Sequence, residues 1–302
     1  MGSEPCLDTR VPAIKRVNGA DVTPSGGPYG LFSAEAYLVL TPEPVLVDCG
    51  GPPTYPELRA NLSALGVAPS DIRYVIATHF HGDHCGNVVA LRGEAPHVPF
   101  AIHAADVAAF SEARGPDGER PGADGPRPDA RLARVDRPLR DGERLTVGRA
   151  TFEALHTPGH TEGSAAIRVE VDGVRAVFVG DTVHGLYFPR QGCDVWADMR
   201  RWARSLARLA EAPFDLLFEG HVLPVHVLGN PSALAEAEQA DLYALVERRM
   251  RERRRGIERA DALEIIAAQQ RLTEAGLLIT PEAWIPELAA RRAGRHQVGG
   301  IA

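Results

Sequence analysis

The segment Thr78-His-Phe-His-Gly-Asp-His-Cys-Gly-Asn87 directly follows the apolar run Tyr74-Val-Ile-Ala77. Residues 73–77 read as a short strand. His79 and His81 are two apart on extended backbone, so their side chains point the same way. Gly82 allows a tight turn, after which Asp83 and His84 fold back toward the first two imidazoles. The chain has 11 histidines in 302 residues, so three of them within six positions are hard to ascribe to a solvated loop. Neutral imidazole and carboxylate are donors that zinc and iron accept, and a divalent transition metal is the natural occupant.

Three later segments share this form, a short apolar run ending in a polar, Gly-containing turn. Thr157-Pro-Gly-His160-Thr-Glu-Gly-Ser164 places His160 in a glycine turn, Val179-Gly-Asp181-Thr offers Asp181, and Glu219-Gly-His221 offers His221. Each alone is weak, since a strand-end Asp is an ordinary turn or cap residue. In this order after HxHxDH they specify seven ligands for two metals.

With these motifs, residues 34–225 resemble the metallo-β-lactamase-fold superfamily of metallohydrolases. The resemblance implies an αββα sandwich, an α/β (α+β) fold with the metals at one edge and a C-terminal helical extension. It implies that His79, His81 and His160 hold one metal, that Asp83, His84 and His221 hold the other, and that Asp181 bridges. Asp48, in Leu46-Val-Asp-Cys-Gly50, matches the family's strand-end Asp before the metal motif. Its implied role is to hydrogen-bond the metal loop rather than coordinate, and Thr78 and Thr182 are read as similar supports. In quorum-signal lactonases of this superfamily a tyrosine at a similar offset to His184 contacts the substrate carbonyl. His184 is therefore read as a hydrogen-bond donor to the oxyanion, with Tyr187 as a weaker alternative. Cys85 reads as buried packing, and His97, His103, His156 and His296 receive no role.

The remaining pattern places a catalytic domain at 12–230 and a helical extension at 231–302. Residues 1–33 are Gly- and Pro-rich with weak periodicity. Strands are expected at 36–40, 44–47, 98–103, 151–155, 165–171, 175–179 and 214–218, and helices at 54–66, 104–112, 198–211, 232–255, 260–275 and 281–292. Residues 113–142, rich in Gly, Pro, Asp and Arg, read as a structureless insertion, either a lid or a disordered segment. The C-terminal helices carry Leu242, Leu245, Ile265, Ile266 and Trp284 at helical spacings, fitting core packing, a substrate pocket or a homodimer contact. Their arginine run at 248–255 reads as a solvated face.

Composition excludes several functions. There are 33 Lys and Arg against 40 Asp and Glu, a net charge of −7, which argues against nucleic acid and anionic lipid as partners. No window holds eighteen uninterrupted apolar residues, and the first residues have neither a basic n-region nor an apolar h-region. The four cysteines form no CxxC. A cytoplasmic location with reduced thiols is expected. The absence of a G-x-S-x-G elbow leaves no competing serine mechanism.

The expected activity is hydrolysis of a small ester, lactone or thioester by a hydroxide bridging two divalent ions, zinc first and iron or manganese as alternatives. Asp83 is expected to orient the hydroxide and carry a proton to the leaving group. The alternatives are a mononuclear-iron oxygenase resembling persulfide dioxygenases and a non-catalytic metal-binding domain.

Overall fold

The computed structural model describes residues 7–19, 34–114, 132–183, 198–221 and 255–274. Within them, two six-stranded sheets form. The first contains β1 (Ile14–Asn18), β2 (Ala36–Val39), β3 (Val45–Val47), β4 (Tyr74–Ile76), β5 (Phe100–His103) and β6 (Arg137–Leu139), in chain order. β1 to β3 pair antiparallel, and β3 to β6 pair parallel. The second contains β7 (Arg144–Val147), β8 (Ala150–His156), β9 (Ala165–Val171), β10 (Val174–Phe178), β11 (Leu216–Phe218) and β12 (Ile257–Glu258). β7 to β10 form an antiparallel meander, β11 runs parallel to β10, and β12 closes the edge antiparallel to β11.

The period of two along each strand divides the apolar residues between layers. Val45, Val47, Ile76 and Ala101 of the first sheet face Phe152, Ile167, Val169 and Phe178 of the second. Leu46, Val75, Phe100 and Ile102 point the other way, onto Leu58 and Leu62 of α1 (Tyr55–Ala64) and onto Val88, Leu91 and Phe110. A single helical turn, α2 (Gly82–Cys85), precedes α3 (Val88–Glu94), and α4 (Val107–Arg114) supplies Phe110. On the far side, Val177 and Leu217 pack on Trp202, Leu206 and Leu209 of α5 (Met199–Glu211) and on Ala262 and Ile266 of α6 (Arg259–Glu274). The result is the expected αββα sandwich. Buried on both faces, β3, β4 and β11 read as continuous apolar runs rather than alternating ones.

Several elements depart from the sequence reading. β1 lies in the stretch of weak periodicity because it carries a buried arginine: Arg16 Nε donates to Glu35 Oε2 at 2.7 Å, with both side chains almost fully covered. β6 lies inside the 113–142 stretch, which is therefore not structureless throughout. Its Pro138 is tolerated because β6 is an edge strand. The buried Arg92 guanidinium draws this segment in, donating to the carbonyls of Leu132 and Arg134 and to Asp136, which in turn accepts from Phe100 N–H. β7 is an edge strand, RLTV, with only one buried residue and so little apolar signal, and the two-residue β12 is too short to register as periodicity. The tight turn expected at Gly82 takes the form of a single helical turn. From 231 onward the described residues are 255–274, with the helix expected at 260–275 observed as α6. The helices expected at 232–255 and 281–292 lie, apart from Arg255, outside the described residues.

Within each sheet the parallel relations align the carboxyl ends: β3, β4 and β5 in the first, and β8, β10 and β11 in the second. All the singled-out polar turns leave from those ends, where α/β sheets open crevices for ligands. α5 is set by its N-cap, Asp198, whose side chain accepts from the N–H groups of Arg200 and Arg201. Such a cap contributes about 1 kcal/mol.

Arg16→Ala removes the guanidinium that faces the buried Glu35 carboxylate and is expected to lower the unfolding free energy by about 3–5 kcal/mol in urea titration. Arg59→Ala, which removes an exposed pair with Glu94, is expected to change it by less than about 1 kcal/mol.

Candidate metal centre

The loop after β4 places His79 and His81 beside the turn after β8, which carries His160. His81 Nδ1 lies 2.9 Å from His160 Nε2. The short turn after β10 brings in Asp181, whose Oδ2 lies 3.2 Å from His160 Nε2 and 3.9 Å from His79 Nε2. One donor atom from each of these four residues falls within 4.8 Å of the others. Asp83, His84 and His221 form a second group by the same measure. There His84 Nε2 and His221 Nε2 are 3.1 Å apart, and Asp83 Oδ2 is 3.1 Å from His221 Nε2. Asp181 Oδ1 faces this second group, 3.0 Å from His84 Nε2 and 3.5 Å from His221 Nε2. The two oxygens of one carboxylate thus face the two groups.

This donor set fits divalent cations. Imidazole nitrogens point at one another and at carboxylate oxygens around two small centres, which places lone pairs together inside the protein. His79 Nε2 is buried and makes no hydrogen bond among the described residues. Its ring is turned by Thr78 Oγ1, 3.2 Å from Nδ1. An unbonded buried nitrogen is costly unless something cationic or protic fills the space it faces.

The electrostatics point the same way. Burial, reinforced by the neighbouring His84, holds His79 well below the ordinary imidazole range. Burial also opposes a charge on His84, but Asp181, Asp83 and Asp48 outweigh it and hold His84 well above that range. The second group therefore favours positive charge, whether as a proton or as a metal. Asp83 is the accessible member, with 37% of its side chain exposed. Burial would raise its pKa, but His84 and His221 outweigh that and keep the carboxyl below the usual range.

The supports lie where the strand ends meet. Asp48, at φ 55°, ends β3 and accepts from Thr78 N–H and Thr78 Oγ1, both at 2.8 Å. Its Oδ2 also pairs with His84 Nδ1 at 2.9 Å. This fixes the ring so that Nε2 faces the centre, an arrangement typical of metal-binding histidines. Thr182 Oγ1 meets Thr157 Oγ1 at 2.8 Å, tying the Asp181 turn to the His160 turn. Two glycines permit the close approach. A Cβ on Gly220 would fall 2.7–2.8 Å from the Gly180 carbonyl group and His84 Cε1. A Cβ on Gly180, itself at φ 49°, would meet Thr78 Oγ1 at 2.4 Å.

Other supports had no motif to announce them. Thr182 O accepts from Trp202 Nε1 at 2.8 Å and from Gln269 Nε2 at 3.0 Å, so α5 and α6 both grip the Asp181 turn. Tyr37 Oη donates to Glu219 O, and Glu35 N–H donates to Gly220 O, which tethers the His221 turn to the first sheet. No sequence signal was available for them, because burial such as that of Trp202 and Gln269 cannot be read from a letter in a sequence. His184 and Tyr187 lie outside the described residues. Cys85 is a buried thiol, its Sγ donating to the carbonyls of Phe80 and His81. His97 Nε2–H donates to Ser70 O on the surface. His103 and His156 end β5 and β8 and stack with ring centroids 3.9 Å apart. No described helix is long and apolar enough to cross a membrane.

Comparison with known proteins follows the same lines. Residues 29–221 match the family model described as the metallo-beta-lactamase superfamily. A beta-lactamase-like protein 2 homolog of Caenorhabditis elegans is 26% identical over 82% of this chain and 72% of its own. An atrochrysone carboxyl ACP thioesterase of Aspergillus chevalieri is 28% identical over the same shares of the two chains. A metallo-beta-lactamase structure from Cronobacter sakazakii superposes with a TM-score of 0.59 at 24% identity, covering 93% of each chain, a likeness of fold.

Asp48→Asn is expected to weaken zinc binding about 10–100-fold in a chelator competition while the chain stays folded. Burial, aided by His156, holds His103 down to about 4. The unfolded chain, with an ordinary histidine near about 6.5, binds that proton first. Stability is therefore expected to decline as pH falls from about 6.5 toward about 4, and His103→Phe is expected to flatten that part of the metal-free unfolding profile.

Proposed function

The chain belongs to the metallo-beta-lactamase superfamily, and from that premise we propose that it hydrolyses a small ester, lactone or thioester on two divalent cations, zinc first. The observation that carries this reading is Asp181, one oxygen toward each donor group. His79, His81 and His160 would hold one cation and Asp83, His84 and His221 the other, with Asp181 shared. When bound, such a pair would lower the pKa of bound water to about 7 and polarise a carbonyl. A thioester heads the substrate classes because a relative matched over 82% of this chain is named a thioesterase.

The chain's own residues supply the rest. Asp48 holds His84 Nδ1 and so aims Nε2 inward. Asp83 is partly open to solvent and sits beside His221. Its carboxylate is kept ionised at neutral pH, so it can take the proton of the attacking water. The same oxygen can return that proton to the leaving oxygen or sulfur. A small-molecule substrate is consistent with the net charge of −7, which disfavours a nucleic-acid backbone.

Elemental analysis of the chain purified without added metal tests the reading. About two zinc per chain is expected, with chelation abolishing turnover of every substrate in an ester, lactone and thioester panel and zinc restoring it. Asp83→Asn is expected to lower kcat about 100-fold or more, a larger effect than its loss of metal content. Near-normal activity of both His81→Ala and Asp181→Ala would overturn the assignment. One tightly held iron with oxygen uptake on thiol persulfides would replace hydrolysis by oxygenation.

A further inference from the structure

Asp106 follows β5 in the turn that opens α4 and is 1% exposed. Its Oδ2 accepts from Phe80 N–H at 3.1 Å and from Thr161 Oγ1 at 2.9 Å. Its Oδ1 accepts from Gly163 N–H at 2.6 Å. Phe80 lies between His79 and His81, and Thr161 follows His160. One buried carboxylate therefore holds both loops that bring three imidazoles to the four-donor group. The seat is closely built: a Cβ on Gly163 would fall 2.5–2.6 Å from Asp106 Cγ and Cβ.

A buried carboxylate is costly unless its oxygens are bonded, and three donors satisfy Asp106 without an ion pair among the described residues. Its three donors come from the histidine-bearing loops rather than from strands. Burial pushes its carboxyl up from the ordinary value, with the hydrogen bonds of Thr161, Gly163 and Phe80 and the nearby His81 opposing. The contacts it makes bear directly on the 2.9 Å separation of His81 Nδ1 and His160 Nε2.

We propose that Asp106 is a positioning residue that sets the spacing of the His79/His81 loop against the His160 loop, and thereby the affinity of that group for a divalent cation. This rests on the reading that the group holds a metal. The carboxylate touches no donor atom itself; it acts through the backbone on either side of the imidazoles, as outer hydrogen bonds do around metal ligands.

The test is a zinc titration of the full chain against a chromophoric chelator, beside thermal unfolding of the metal-free protein. Asp106→Asn keeps the volume but turns an amide NH2 toward groups that donate. Tight zinc binding is expected to weaken about 10–100-fold in a variant that still unfolds cooperatively. A folded variant whose zinc Kd stays within about twofold overturns the proposal, including one whose Tm alone has dropped, since that marks a purely structural carboxylate. If Asp106→Asn does not fold, Thr161→Val, which removes one donor, decides by the same titration and the same criterion. Wild-type protein that takes up no zinc overturns the metal reading and this proposal together, whereas wild-type binding left unchanged by the substitutions overturns this proposal alone.

Discussion

Asp181 stands between two clusters of imidazole with one oxygen toward each, and the architecture around it follows from that placement. Seven polar side chains converge at one rim of the sandwich, and five of them, all but His81 and Asp83, are buried. Lone pairs gathered in this way are unfavourable unless a cation or protons occupy the space between them. The opposed shifts of His79 and His84 express the same tension: burial empties one ring of charge while three carboxylates draw charge to the other. A metal centre relieves both.

Holding such a cluster requires rigidity on every side. The carboxyl ends of β3, β4, β8, β10 and β11 arrive together because each sheet keeps those strands in parallel orientation. Short loops then have little freedom to spread. Asp48 ties the end of β3 to the loop after β4, Thr157 and Thr182 tie the turns after β8 and β10, and Tyr37 reaches across to the turn after β11. Gly180 and Gly220 let the backbones approach to distances that a side chain would forbid. α6, far along the chain, reaches the same place through Gln269. The covering helices are therefore mechanically part of the centre and not only a lid on the apolar core.

Much of this was legible in the residue order. The HxHxDH motif, the glycine turns around His160 and His221, and the apolar runs before them located the strand ends, and the family pattern assigned the sandwich. Departures cluster where a local pattern is broken by a charge or by an edge. Arg16 interrupts the alternation of β1, yet Glu35 neutralises it inside. Pro138 and the density of charge hid β6, yet an edge position and Arg92 accommodate it. Asp106, Trp202 and Gln269 carried no motif at all.

The sequence by itself determined the chemistry: which side chains carry lone pairs, their spacing within each turn, and the apolar strand preceding each turn. These are short-range properties, settled by residue identity and a period of two. The family pattern implied how the turns group and that Asp181 lies between them; only the tertiary structure decided how closely they approach, which Asp181 oxygen faces which group, and which distant polar side chains lock them there. Those relations depend on strand order, on loop approach at the scale of a single missing Cβ, and on burial, and none of these is encoded in a local stretch of chain.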